Sequence, residues 1–449
     1  NLSRDPEQEY FADGMTEALT AELSKISALK VISRTSAMQY KGAKKPMPQI
    51  ARELGVDGLI EGSVVREGDQ VRITVQLIHG PTDKHLWAES YQRELRGVLA
   101  LQSEVARAIA REVRVAVTPA EATRLAAARP VNPEAYRHYL LGRHHWNKRT
   151  REGFEKAAEH FQQAIDLDPS YPLAYAGLAD VHAASTSWGF AAPAEGYPRA
   201  RAVAFKALEL DPNLAGPYAT LGFIKYIYME WRGSEEDFRQ ALELDPNYAN
   251  GHLWYGILLT SLGRHEEAIA ALKLAEKLDP LAPNTSRWLG QGFYNARRYD
   301  AAVRQLQKTV EMHPDFYVAH VFLAATHVAM DRRAEALAAA ERARGVPEID
   351  PHFGVLGWIY ARAGRAAEAR RMRGRLQELS AQQYIDPGAV AIICVGLGEN
   401  KEALAWLERA YKQQASVRLA LVKVDPAFDP LRDDPRFQEL LRRMNFPTE

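Results

Sequence analysis

The residues best suited to chemistry are few and poorly placed for it. His144 and His145 are adjacent imidazoles, but neighbouring residues on a helix point about 100° apart, so they cannot readily share a metal ion. The single cysteine, Cys394, lies in an apolar run and is expected to be an inert core thiol. One cysteine also excludes a disulfide framework within the chain. We therefore expect no metal site and no cofactor.

Two other segments resemble binding motifs only superficially. The stretch from Gly396 to Lys401 begins like a dinucleotide-binding loop, but a lysine stands where the third glycine belongs, and a turn between helices is predicted there. The arginines at 370, 371, 373 and 375 form a basic run that is typical of a solvated helix face. Signatures of nucleotide-binding loops, zinc proteases, serine hydrolases and kinases are absent from the sequence. We therefore expect no enzyme within these residues.

Composition argues against a nucleic-acid or membrane partner for this segment. Lys and Arg total 57 and Asp and Glu also total 57, so the chain of 449 residues carries no formal net charge. No run of 18 apolar residues occurs, so no membrane span is predicted. The first residue is Asn1 and no signal peptide follows it, which predicts a fragment of a longer protein. We expect it in the cytoplasm, or in the periplasm if a transmembrane helix lies upstream.

A recurring Asp-Pro phrase organises the middle of the chain. Pro212, Pro246, Pro280 and Pro314 follow one another at intervals of 34 residues, each after an apolar helix end. Proline lacks the backbone donor and clashes with the preceding turn, so the phrase is interpreted as helix punctuation. A fixed period of about 34 residues resembles the tetratricopeptide repeat, a helix-turn-helix unit that stacks into a right-handed superhelix. We predict about eight repeats over residues 133–423.

The repeats show the small and large residues that such packing requires. Gly142, Ala157 and Phe161 mark the first repeat, where small residues let helix axes approach and the ring fills the space between them. The interval from Pro169 to Pro212 is nine residues too long, and residues 185–193 are predicted to form a longer loop. After the repeats, residues 424–449 are predicted to end in a helix from Pro435 that caps the last apolar face.

Residues 1–115 predict a separate α+β domain. A helix with apolar residues at helical spacing is followed by a predicted strand at 29–33 and by a helix that begins at Pro48. Period-two alternation then predicts strands at 59–66, 71–78 and 85–91, and a long amphipathic helix follows over 98–113. Residues 116–132 are predicted to be a linker with a short helix that Thr118 and Glu121 cap and Pro130 ends. The fold class is therefore mainly α, with an α+β domain before an α-solenoid.

Several stretches of this first domain occur in one known family. They are Tyr10-Phe11-Ala12-Asp13-Gly14-Met15-Thr16-Glu17, Val31-Ile32-Ser33-Arg34-Thr35-Ser36, Leu54-Gly55-Val56-Asp57, Glu61-Gly62-Ser63-Val64 and Leu86-Trp87-Ala88-Glu89. Together they resemble the TolB-like N-terminal domain found in bacterial signalling proteins, which join it to tetratricopeptide repeats. In that family an apolar strand precedes the position of Asn1, so the resemblance implies a sheet edge that is exposed or differently filled.

The resemblance to tetratricopeptide folds also implies where a ligand would bind. In those folds the first helix of each repeat lines a concave groove. Transferred by register, the candidate groove residues are Tyr136, Tyr139, Arg143, Trp146, Asn147, Phe223, Tyr226, Ile227, Arg287, Gln291, Tyr294, Asn295, Trp358 and Arg362. Aromatic rings beside arginines and amides suit a peptide, because rings bury its side chains while Arg and Asn hold its carboxylates. The alternative is that these side chains pack one repeat against the next.

The resulting hypothesis is a non-catalytic sensor or scaffold that binds a protein or peptide. The resemblance implies that it regulates an effector upstream of Asn1, either a winged-helix DNA-binding domain, a Ser/Thr kinase or a nucleotide cyclase. One alternative is a small-molecule receptor, which predicts a closed apolar cavity near Trp146, Trp188 and Phe190. The other is a homo-oligomerisation module.

Overall fold

The computed structural model describes residues 1–2, 8–126, 130–413 and 416–447. These residues form two compact units. The first unit contains residues 1–221 with the short segments 239–249 and 277–281, and the second contains residues 222–238, 250–276 and 282–449. Four helices between residues 215 and 278 contribute residues to both units.

The first unit begins with the predicted α+β arrangement. Its elements are α1 (Glu9–Ser24), α2 (Arg34–Ala37), α3 (Met47–Leu54), β1 (Gly58–Glu67), β2 (Gln70–His79), β3 (Lys84–Glu94), α4 (Val98–Glu112) and α5 (Pro119–Ala126). The three strands form an antiparallel sheet in the order β1-β2-β3. A tight turn joins the first two strands, with Gly68 at φ 58°.

Alternation on β2 places one face of the sheet in the core, as predicted. Val71, Ile73, Val75 and Leu77 are all buried, while the residues between them are exposed or half-buried. The same core receives the apolar face of α4. At the outer strand, the backbone N–H of Leu2 donates to the carbonyl of Val64 over 3.1 Å, so residue 2 lies along the edge of β1.

The strand predicted at 29–33 is wrong. These residues form no sheet ladder, because their backbone donors are used elsewhere in the first unit. Val31 N–H donates to the side-chain carbonyl of Asn247 over 3.1 Å, and Ser33 N–H donates to the carbonyl of Leu278 over 2.7 Å. An extended segment whose amides are satisfied in this way has no need of a neighbouring strand.

The short linker helix is capped as predicted. Glu121 accepts from the backbone N–H of Thr118 over 2.7 Å, and the Thr118 hydroxyl accepts in return from the N–H of Glu121 over 3.3 Å. The predicted end of this helix follows residues 127–129, which lie outside the described residues.

Sixteen helices follow one another in residues 130–413 and form eight consecutive pairs. The first four pairs are α6 (Pro133–Trp146) with α7 (Arg151–Leu167), α8 (Pro172–Ser187) with α9 (Pro193–Leu210), α10 (Ala215–Ile227) with α11 (Trp231–Leu244), and α12 (Ala249–Leu262) with α13 (His265–Leu278). The other four are α14 (Pro283–Asn295) with α15 (Tyr299–Met312), α16 (Tyr317–Ala329) with α17 (Arg333–Arg342), α18 (Pro351–Arg362) with α19 (Ala366–Leu379), and α20 (Pro387–Gly396) with α21 (Asn400–Gln413).

Phe161 shows why the repeat requires small residues at fixed positions. Its ring lies between α6 and α8, where a Cβ atom added to Gly142 would come within 2.6 Å of it and one added to Gly177 within 2.5 Å. Both distances are shorter than van der Waals contact, so only glycine lets the helices approach this closely. The two glycines and the buried ring therefore fix the spacing of the first repeat.

The nine surplus residues of the second repeat do not form the loop predicted at 185–193. Helix α8 has 16 residues and continues to Ser187, while α9 has 18 residues and begins at Pro193. Only residues 188–192 connect them, with Gly189 at φ 73°. The surplus is mostly helical because alanine-rich sequence on both sides favours extra helical turns over an open loop.

The segment after the repeats belongs to the second unit and forms α22 (Val417–Leu421), a 3₁₀ helix (Pro426–Leu431) and α23 (Pro435–Arg443). The predicted final helix is confirmed. Asp434 caps it by accepting from Arg436 N–H over 2.9 Å, and Phe437, Leu440 and Met444 are buried. No helix among the described residues is both long enough and apolar enough to cross a bilayer.

Candidate interaction surface

The predicted groove residues of the first repeat share one face of α6, and that face contacts α1 within the first unit. Tyr136 is fully buried, and the amide of Gln102 donates to its hydroxyl over 2.8 Å. Its ring meets that of Phe11 edge-on, with centroids 6.3 Å apart. Tyr139 is half-buried and packs against Phe161 and Tyr171. Tyr136 is therefore covered by the chain's own first helix, whereas Tyr139 packs against aromatic rings of the array.

The polar part of this face holds a carboxylate. Glu17 Oε1 of α1 accepts from Arg143 Nε over 2.5 Å. Its Oε2 atom accepts from Asn147 Nδ2 over 3.2 Å and lies 3.2 Å from Arg34 Nε. Burial alone would raise the pKa of Glu17, but the guanidinium groups of Arg143 and Arg34 outweigh it and lower the pKa below its usual value. Arg143 and Asn147, predicted as carboxylate-binding residues, thus bind a carboxylate of the same chain.

A second acid lies on the far side of Arg143. Asp180 Oδ2 is 3.8 Å from Arg143 Nη1, and its other oxygen accepts from the Thr220 hydroxyl over 2.7 Å. Burial raises the pKa of Asp180, against the opposing effect of Arg143. Arg143 therefore lies between two carboxylates, of which the one on α1 gives the closer contact.

Trp146, the fourth predicted residue on this helix, belongs to an aromatic cluster. It is 8% exposed and packs on Phe154 with ring centroids 5.2 Å apart, and the guanidinium of Arg149 lies 4.2 Å from its ring centre. Trp188 and Phe190 contact the same Phe154 ring, at 5.6 and 6.0 Å. The three residues expected around an apolar cavity therefore pack around a phenylalanine side chain.

The end of α1 and the segment after it contact two Asp-Pro turns, through hydrogen bonds that the sequence does not predict. Ser24 Oγ donates to Asp245 Oδ2 over 2.9 Å, and Asn247 Nδ2 donates to the Ser24 carbonyl over 3.0 Å. One repeat further, Ser36 Oγ donates to Asp279 Oδ1 over 2.6 Å. All of these residues lie in the first unit. The Asp-Pro phrase is therefore more than helix punctuation, because its aspartates also bind serines of the N-terminal domain.

In the second unit the predicted residues of α14 form a buried polar row. Arg287 is 5% exposed and donates to Gln291 Oε1 and to Asn284 Oδ1, each over 2.7 Å. Its guanidinium lies 4.1 Å from the ring centre of Trp288 and 5.3 Å from that of Phe322. Burial lowers the pKa of Arg287 to about 9, although Asp350 opposes the shift. This arginine is thus held by amides and aromatic rings.

The segment after the repeats contacts the other end of that row. Tyr294 donates to Asp425 Oδ1 over 3.3 Å, and Arg297 forms a two-point ion pair with Asp429 over 2.7 and 2.8 Å. Asn295 is 2% exposed, and neither atom of its side-chain amide has a hydrogen-bond partner. The residues after 416 therefore lie against helices from the middle of the array as well as the last pair.

The remaining candidates are mostly buried. Phe223 packs on Trp254 with centroids 4.4 Å apart, and the Tyr226 hydroxyl is 3.1 Å from Ser261 Oγ. Trp358 is also buried, and Arg362 is exposed beside a small cavity of about 110 Å³. Among the candidate groove residues, Arg362 has the most exposed side chain.

One cluster of three histidine, cysteine or carboxylate ligands occurs in the part of the chain that the structure describes. It consists of Cys394, Glu399 and Glu402. Arg373 pairs with both carboxylates, and burial raises the pKa of the Cys394 thiol to about 11. Because the thiol is protonated and one guanidinium pairs with both carboxylates, the cluster is an internal ion network.

Comparison with known proteins agrees with the repeats. A tetratricopeptide repeat family model matches residues 230–283 and 289–352, and a TPR repeat model matches residues 151–185. A putative adenylate cyclase 3 of Rhizobium meliloti (strain 1021) is 36% identical over 223 residues, which are 49% of this chain and 38% of that protein. The transcriptional regulator HilA of Salmonella paratyphi A is 29% identical over 103 residues, 23% of this chain and 19% of HilA. The chain thus spans well under half the length of either relative.

Two solved structures are similar in part. YrrB, described as a TPR protein with an unusual peptide-binding site, is 20% identical with a TM-score of 0.33, covering 48% of this chain and 99% of YrrB. A tetratricopeptide repeat protein from Parabacteroides merdae is 14% identical with a TM-score of 0.43, covering 60% of this chain and all of that one. From the matched family models and the helix pairs described above, this chain carries an array of tetratricopeptide repeats.

Proposed function

We propose that this chain is the protein-binding, non-catalytic region of a bacterial signalling protein, and that the α6 face of its array is a binding surface. The observation that carries the proposal is the binding of Glu17 by Arg143 and Asn147. Because α1 is an amphipathic helix that presents a carboxylate among apolar side chains, this contact supports a surface suited to a partner helix of the same kind. A protein partner with this pattern would take the place of α1 or extend the same surface.

The names of the relatives support a signalling context. One is a putative adenylate cyclase and the other a transcriptional regulator, and this chain matches only part of each. We propose that a nucleotide cyclase or a DNA-binding domain is joined to this region and is regulated through it. In the same proposal the N-terminal domain is TolB-like and the protein acts in the cytoplasm.

The two alternatives have less support. A small-molecule receptor predicts a cavity near Trp146, Trp188 and Phe190, but these rings contact Phe154 instead. A homo-oligomerisation module has no particular observation in its favour. Both predict that no other protein is recovered with the chain.

The test is capture of the tagged full-length protein from its native host, with the recovered proteins quantified by mass spectrometry. Arg143→Ala combined with Arg287→Ala should reduce recovery of a specific partner several-fold, and the exposed Arg371→Ala should not. Because Arg287 is buried, Arg362→Glu provides a second, exposed alteration, and circular dichroism checks that each variant is folded. Recovery that is equal for all variants would contradict the proposal.

A further inference from the structure

The Asp-Pro turn of the third repeat binds the end of α1 through both of its polar side chains. Asp245 Oδ2 accepts from the Ser24 hydroxyl over 2.9 Å. Asn247 Nδ2 donates to the carbonyls of Ser24 and Ile26 over 3.0 and 3.3 Å, and Asn247 Oδ1 accepts from the N–H of Val31 over 3.1 Å. The last carbonyls of a helix have no partner within the helix, so this asparagine satisfies groups that α1 leaves unpaired.

The pairing of a serine with the aspartate of the turn recurs one repeat later. Asp279 Oδ1 accepts from the Ser36 hydroxyl over 2.6 Å, and the N–H of Leu281 donates to the same hydroxyl over 2.9 Å. Both Ile26 and Ser36 are fully buried. Two successive turns thus bind serines of one chain segment, which shows that the turn itself has the chemistry to bind such a segment.

The turn of the second repeat has the same sequence and the same backbone hydrogen bonds as that of the third. Residues 211–213 and residues 245–247 both read Asp-Pro-Asn. Each aspartate N–H donates to the carbonyl four residues earlier over 2.9 Å. Each aspartate Oδ1 accepts from the N–H of the asparagine, over 2.9 Å at Asn213 and 3.1 Å at Asn247. The two turns therefore present their side chains from equivalent backbones.

The atoms that bind α1 in the third repeat have no partner in the second. Among the residues that the structure describes, none forms a hydrogen bond with the side-chain amide of Asn213 or with Asp211 Oδ2, and Asn213 is exposed. The leucine before each turn differs in the same way, because Leu244 is 7% exposed and Leu210 is half-buried. The second turn thus offers solvent the groups that the third turn uses.

We propose that Asp211 and Asn213 bind the C-terminal end of a helix of a partner protein, one that has a serine in its last turn and an aliphatic residue two positions later. This is the pattern of Ser24 and Ile26 in the occupied turn. The partner's serine donates to Asp211 Oδ2, and its last carbonyls accept from Asn213 Nδ2. The surface is continuous with the occupied turns, since successive repeats stack on their neighbours. It is distinct from the α6 face, so either proposal can fail without the other.

The experiment is a fluorescence anisotropy titration of a labelled peptide, residues 19–31 of this chain, with the native full chain. The peptide lacks Glu17 and cannot make the contact with Arg143. At the third turn the chain's own tethered segment has the higher effective concentration and excludes the peptide. We expect saturable binding, weakened at least ~10-fold by Asn213→Ala in the chain and by Ser24→Ala in the peptide.

Asp315→Ala is the matched control for the chain. It alters the same position of the turn in the fifth repeat, where His313 stands in place of the aspartate. The structure shows this residue exposed, like Asn213. Its affinity for the peptide should equal that of the native chain.

Thermal unfolding tests separately that the second turn is free. Asn213→Ala should leave the melting temperature unchanged, because it removes no hydrogen bond of the folded chain. Asn247→Ala should lower it, because that side chain bonds to Ser24, Ile26 and Val31. An equal fall for the two variants would show that the chain itself already occupies the second turn, and would overturn the proposal.

Two further results would overturn it. One is peptide binding that does not saturate, or that is equally tight in the native chain and in Asn213→Ala. The other is a sedimentation mass that rises with the concentration of the native chain and stays monomeric in Asn213→Ala. The occupant of the turn would then be a second copy of this chain instead of a partner protein.

Discussion

Ser36 donates a hydrogen bond to the carboxylate of Asp279 over 2.6 Å, although 243 residues separate them in the chain. The same Ser36 hydroxyl accepts from the backbone N–H of Leu281 over 2.9 Å. One serine thus pairs with both the side chain and the backbone of an Asp-Pro turn. This contact, together with that of Ser24 with Asp245, connects the N-terminal domain to the array within the first unit.

Ser36→Ala should destabilise the first unit. The substitution removes one hydrogen bond to the buried Asp279 carboxylate and the side-chain acceptor of the Leu281 N–H, at a cost of about 1–3 kcal/mol in the free energy of unfolding. Denaturant unfolding measures the loss, and hydrogen exchange should quicken in residues 34–40. Ser187→Ala, which alters an exposed serine at the end of α8, is the matched control and should change stability little.

Glu17→Gln should change how stability depends on pH. The pKa of Glu17 in the folded chain is below its usual value of 4.5. The stability that the ionised Glu17 side chain contributes is therefore fully present above pH 4.5. That contribution is lost as the pH falls through the lower folded pKa. The native chain should therefore lose stability on acidification more steeply than Glu17→Gln does. An identical pH profile for the two, with the exposed Glu155→Gln as reference, would count against the ion pair.

Asp245 should show the opposite pH dependence. Burial raises its pKa from 3.8 to about 6, against the hydrogen bond from Ser24. The stability that Asp245 contributes is therefore fully present below pH 3.8 and is lost as the pH rises through about 6. Asp245→Asn removes this loss. Above pH 6 the free energy of unfolding of the variant should therefore exceed that of the native chain by on the order of 1–2 kcal/mol. Carbon NMR titration of the Asp245 carboxyl gives the pKa directly, and a value near 3.8 would refute the shift.

Gly142→Ala should destabilise the first repeat by at least ~1–3 kcal/mol, because the new methyl group would overlap the Phe161 ring. Gly374→Ala is the natural contrast. Gly374 lies inside α19 with no atom within 4 Å of its added Cβ, so alanine there should raise stability by about 0.5–1 kcal/mol. Thermal unfolding of both variants measures the two changes in stability. Equal effects would show that the close approach at Phe161 is not needed.

Local features of the fold could be predicted because local residues determine them. The Asp-Pro spacing predicted the helix pairs, and the reciprocal cap of Thr118 and Glu121 needs only four residues of sequence. The alternation on β2 likewise follows from its own side chains. Such signals depend on periodicity and capping chemistry, which a single sequence displays.

Long-range contacts could not be predicted in this way. Nothing near residues 29–33 shows that Asn247 and Leu278 will take the backbone donors of a segment that reads as a strand. The register also placed Arg143 and Asn147 on one face of α6, but it gave no sign that Glu17 would be bound there. The amphipathic pattern of α1, with an acid among apolar residues, was the available signal.

A double-mutant cycle between Glu17 and Arg143 tests most directly whether the α6 face binds an acidic helix. Glu17→Gln, Arg143→Met and the double variant are compared with the native chain by denaturant unfolding. The account predicts a coupling free energy of about 1–3 kcal/mol, as expected for a half-buried, hydrogen-bonded ion pair. Additive effects, with a coupling free energy near zero, would contradict it.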